Sequence, residues 1–146
     1  GRLREALSYY QESLPIELEV GNRRGEGIAL LNQGHTYSAL DEDAQAWGYF
    51  RQAIAVALVV GLGAVLAEAV VGIALLRAKA GQYAAAAELL GFAQAHPAWN
   101  AEVDEAAQPA LAILRREIPA GPLSALMARG RSQPQDAVIG KVMAAP

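Results

Sequence analysis

The stretch AIAVALVVGLGAVLAEAVVGIALL, residues 53–76, carries one charge, Glu68. It has three competing readings: a membrane span, a phosphate-binding glycine loop, or the seam between two soluble helices. Only fifteen uncharged residues precede Glu68, short of the roughly 18 a span requires. Gly61, Leu62 and Gly63 begin a G-x-G-x-x-G pattern, but Leu66 stands at its third glycine position and no strand pattern leads into it. The helical seam is the reading that remains, and the rest of the chain tests it.

The length, 146 residues, suits one domain with a real core. The net charge is -3, and Lys and Arg occur singly or in pairs (NRRG, LRRE, ARGR). No continuous basic stripe for nucleic acid forms. Absence of cysteine removes disulfides and thiolate metal sites and accords with a reducing, cytoplasmic setting. The chain starts GRLREAL, without Met and already in helical text. A piece of a longer protein is therefore expected.

Abundant Ala, Leu and Glu and scarce β-branched alternation make helices the expected element. Displacing the sequence by forty residues aligns Gly1/Asp41/Gly81, Ala6/Ala46/Ala86, Tyr10/Phe50/Leu90 and Ser13/Ala53/Ala93, and further on Gly21/Gly61. Small and large residues three and four apart share a helical face, where the small one admits a neighbouring backbone and the large one fills the adjacent hole. Recurrence at a fixed offset describes stacked helix pairs. Helices are expected near 2–20, 24–40, 43–60, 64–80 and 83–96, with Pro15 kinking the first and HPAWN (96–100) ending the repeats. Residues 53–60 then finish one helix, Gly61-Leu62-Gly63 turn the chain, and the next helix follows; the stretch is apolar because both helices are covered on more than one side.

The segment LLNQGHTYSALDEDAQAWGYFRQAI resembles a tetratricopeptide repeat, with Gly34, Tyr37, Leu40, Ala46, Phe50 and Ala53 at the small, aromatic and alanine positions. The copy at 70–93 keeps Gly81, Tyr83, Ala86 and Ala93 but has Ala74 and Arg77 in place of Gly34 and Tyr37. The resemblance implies an all-α fold, a right-handed α-solenoid of antiparallel helix pairs with a C-terminal helical cap. Its divisions are a truncated repeat at 1–21, repeats at 22–61 and 62–97, and capping helices at 98–146. HEAT and armadillo repeats share the length; the alanine and aromatic columns favour tetratricopeptide repeats.

Beyond residue 100, AEVDEAAQPALAILRREI has acids in its first turns and Arg115 and Arg116 in its last, matching a helix dipole. Pro109 either kinks it or starts a new helix. GPLSALMARG reads as a short helix bounded by glycines, and SQPQDAVIGKVMAA as a last one with Pro134 in its first turn. With the preceding repeat, this tail is similar to the closing segments of LuxR-type activators and signal-transduction ATPases, large bacterial regulators bearing tetratricopeptide repeats. Arg131 and Ser132 follow that pattern, while Met127 or a neighbour replaces its tryptophan.

Chemistry is sparse. His35 and His96 have no HExxH spacing, Asp41, Glu42 and Asp43 lack the alternation of a calcium loop, and no serine lies in a nucleophile elbow. The chain is expected to be no enzyme and to need neither metal nor cofactor. If Leu30, Gly34 and Tyr37 face the partner helix, the opposite stripe holds Ile28, Leu31, Asn32, His35 and Ser38, and in the next repeat Glu68, Val71, Leu75 and Lys79. By resemblance, first helices line a concave groove that takes a protein, a peptide or a helix, even one from the same full-length chain. Only Asn32 suits a carboxylate clamp and Glu68 opposes an anion, so an apolar strip edged by Asn32, His35, Glu68 and Lys79 fits an amphipathic helix better. Self-association and small-molecule sensing are the alternatives.

Overall fold

A computed structural model describes residues 2–8, 11 and 22–144 of the chain. Among the described residues every regular element is an α-helix. α1 covers residues 2–8; α2 is Arg23–Ala39, α3 Asp43–Val60, α4 Gly63–Lys79, α5 Tyr83–Ala95, α6 Ala101–Glu117, α7 Ala120–Arg131 and α8 Gln135–Ala144. The Pro15 kink, the columns at Gly1, Tyr10, Ser13 and Gly21, and most of the helix expected at 2–20 lie outside the described residues. The chain divides into two compact units, Gly1–Ala69 and Val70–Pro146, and the boundary falls inside α4.

In the first unit the Asn22 side chain accepts from the Gly25 N–H at 2.9 Å and starts α2, answering one of the orphan donors of a helix N-terminus. Gly61 ends α3 at φ 79° with its N–H on the Ala57 carbonyl at 2.8 Å, a left-handed cap that glycine adopts cheaply. Between these ends α2 and α3 pack along their length. Gly27 lies against Val56 and Gly34 against Phe50, so the two helices run in opposite directions. A Cβ on Gly34 would sit 2.6 Å from two carbons of the Phe50 ring. Ala46, Phe50, Ala53 and Ile54 are fully buried, as the small and large columns require.

In the second unit α5 and α7 cross more closely still. A Cβ on Gly91 would fall 1.9 Å from the Met127 carbonyl oxygen, and one on Gly130 1.8 Å from that of Glu88. Here backbone meets backbone. α6 buries Val103, Ala107, Ala110, Leu111 and Leu114, one face of a 3.6-residue period. Its acidic start and basic end are as expected, and Asn100 caps it by accepting from the Val103 N–H at 2.9 Å.

Two turns, forty residues apart, share one hydrogen-bond pattern. After α2, the Leu40 N–H donates to the Thr36 and Tyr37 carbonyls, Asp41 to Ser38 and Glu42 to Tyr37; after α4, Ala80 donates to Leu76 and Arg77, Gly81 to Ala78 and Gln82 to Arg77. The residue at the apex is left-handed in both, Asp41 at φ 58° and Gly81 at φ 80°. That explains the Asp41/Gly81 column, since aspartate is among the few side chains that tolerate this region.

Two local expectations need correction, and a third, open between two readings, loses one of them. Gly121 and Gly130 do not bound α7 but lie within it; Gly130 is there because a neighbouring backbone leaves no room for a Cβ. Pro109 starts no new helix: α6 is a single element through it, with Pro109 on the exposed side, where water can satisfy the carbonyl that loses its partner. Pro134 precedes α8 and supplies its first acceptor, taking the N–H groups of Ala137 and Val138.

Candidate functional site

The Asn22 cap fixes the phase of α2 and thereby sets Ile28, Asn32 and His35, four and three residues apart, on one side. Ile28 is 40% exposed, unusual for an isoleucine, while Asn32 and His35 are half-buried. The Thr36 hydroxyl turns inward and donates to the Asn32 carbonyl at 2.9 Å. α4 contributes Glu68, whose Oε2 stands 2.7 Å from His35 Nε2. The His35 ring also meets Phe50 edge-on, centroids 5.1 Å apart at 71°. The phenylalanine that fills the gap over Gly34 therefore also backs the imidazole. One side of that imidazole is held by an aromatic ring and one nitrogen by a carboxylate, which fixes its orientation.

Of the nine residues read from the sequence as a groove, the structure brings His35 and Glu68 into contact, with Ile28 and Asn32 on the same side of α2. Leu31, Ser38 and Val71 are buried and pack inside the protein. In the second unit, Leu75 and Lys79 are half-buried. Sequence reasoning placed His35 and Glu68 in neighbouring stripes yet missed their pairing. A histidine and an acid in the neighbouring stripes of α2 and α4 were the available signal.

Next to this side, Tyr37 stacks on Tyr49 with centroids 5.2 Å apart and planes 8° from parallel. Burial, followed by the neighbouring Tyr49, pushes the Tyr37 phenol above its ordinary value. Its oxygen accepts from the Gln11 amide at 3.3 Å, and Arg4 of α1 pairs with Glu42 in the turn. His96 accepts the Ala98 N–H at its Nδ1, 3.0 Å away, and so shapes the chain after α5.

Among the described residues no group of three His, Asp or Glu could hold a metal ion, and no helix is long and apolar enough to cross a membrane. One polar side chain stands apart: Gln33 is wholly buried, and neither its amide oxygen nor its nitrogen has a hydrogen-bond partner among the described residues. No protein-family profile, curated protein or solved structure matches the chain.

Proposed function

We propose that this chain is a non-catalytic protein-interaction module, a tetratricopeptide-like solenoid of antiparallel helix pairs that holds a peptide or helix against its first helices. The observation that carries this reading is the 2.7 Å contact between His35 and Glu68, which links the first helices of two consecutive forty-residue repeats on the side where Ile28 and Asn32 are open to a partner. Such a side offers an apolar contact, an amide that both donates and accepts, and an oriented imidazole. The duplicated turn at Asp41 and Gly81 supports the repeat architecture. The place of the module, in the cytoplasm as the C-terminal part of a larger bacterial regulator, rests on the likeness of its tail to such proteins.

The test is to pan a displayed peptide library on the purified chain and measure the selected peptides on an Asn32→Ala/His35→Ala variant and on Ile28→Ser. Binding should weaken by about tenfold or more, about 1.4 kcal/mol, with the helical circular dichroism retained. Equal binding by parent and variants would remove this side from consideration.

A second reading, self-association, draws on a separate observation. Leu58, Val59 and Val60, consecutive at the end of α3, are 45%, 78% and 41% exposed. A contiguous apolar run of this kind is a common mark of contact between chains.

A further inference from the structure

In the second unit a groove of about 480 Å³ runs between α6 and α7. Buried Leu111, Leu123 and Met127 give its floor apolar side chains, and Gln94 and Ser124 add polar ones. Its rim carries Arg115 and Arg131, both exposed. The charge pattern is unusual for this acidic chain. Arg116 pairs with Glu117 and Arg129 with Glu88, but no carboxylate lines the groove. Arg131 donates only to the neutral Gln94 amide oxygen, at 3.4 Å, and Arg115 has no carboxylate partner among the described residues.

The lining residues of α7 extend from Ala120 to Arg131, about 16 Å of helix at 1.5 Å per residue. Arg115 adjoins the connection into α7 and Arg131 ends that helix. Two fork-shaped cations separated along this floor complement an elongated ligand with an anion near each end. An extended peptide covers that length in about five residues.

We propose that this groove docks a short acidic peptide segment, aliphatic in its middle and bracketed by carboxylates that Arg115 and Arg131 receive. The site is separate from the side of α2 discussed above, and either can fail without the other. The experiment is fluorescence anisotropy on the full chain with a labelled peptide of leucines bracketed by glutamates, beside its glutamine counterpart. The glutamate peptide should bind at least about tenfold tighter, should lose that margin on Arg115→Gln/Arg131→Gln, and should weaken as salt rises. Equal binding of the two peptides, or an unchanged affinity in the arginine variant, overturns the proposal. So does displacement of the peptide by decanoate as strongly as by unlabelled peptide, which would mark a site for a free fatty acid. Should the variant melt early, the preference of the parent chain for glutamate over glutamine decides the matter alone.

Discussion

Two glycines and one glutamine separate kinds of constraint that composition merges. A Cβ at Gly81 would meet nothing within 4 Å, but its φ of 80° is left-handed. Gly81→Ala should therefore cost about 1–2 kcal/mol through backbone conformation alone. Gly91 lacks that conformation but abuts the Met127 carbonyl. Gly91→Ala must push α7 away from α5, so the loss should reach about 3 kcal/mol, and urea titration of both variants will order them. Equal losses would mean that α5 and α7 are less close than described. Gln33 points the other way. Its buried amide has lost water without gaining a partner among the described residues, so the near-isosteric Gln33→Met should raise stability by about 1–3 kcal/mol, seen as a melting point a few degrees higher. A lower melting point would reveal a partner for the amide. Tyr37 adds a dependence on pH. The fold holds its phenol protonated more firmly than the unfolded chain does, so its contribution is whole below the unfolded value of about 10 and is lost as pH rises through the higher folded value. Melting curves between about pH 9 and about pH 11 should fall more steeply for the parent than for Tyr37→Phe.

At the scale of helices, two columns of the forty-residue register hold different volumes in their two copies. Gly34 faces Phe50 in the first copy, whereas the equivalent positions in the second hold Ala74 and Leu90, both fully buried. A larger small residue accompanies a smaller large one. Gly34→Ala alone should overpack the ring by about 1–3 kcal/mol, and Phe50→Leu alone should leave a void. Together they should cost less than the sum of the two, with a coupling of at least about 0.5 kcal/mol in a double-mutant cycle. Strict additivity would mean that the register of forty aligns these columns without aligning their roles. The extents of α2 to α5 were legible because the columns are local and periodic. The close crossing of α5 and α7 was not, because Gly91 and Gly130 lie thirty-nine residues apart, off the repeat, and a glycine signals its need for space only when its neighbour is known. Likewise Pro109 gave two readings from sequence, and the continuity of α6 through it excludes a new helix starting there.

For the whole molecule, the sequence conveyed that the fold is built from helices and which residues are small, but not which apolar residues remain uncovered. Hydropathy treats Val56 and Val59 alike, yet Val56 is 6% exposed and Val59 is 78% exposed; three residues along one helix end separate a core position from open water. Burying such a run against a second chain would release about 25 cal/mol for each Å² removed from water. That gain is useful only when the contact extends well beyond three side chains, because stable interfaces bury more than about 1,000 Å² in total. Self-association through Leu58, Val59 and Val60 should accordingly be weak and appear as a weight-average mass that rises with concentration in light scattering. Val59→Lys places a charge at the most exposed point of the run and should flatten that rise without lowering the melting point, since Val59 contributes little to the core. A mass independent of concentration in the parent chain, or a rise undiminished in Val59→Lys, would leave this apolar run without a part in assembly.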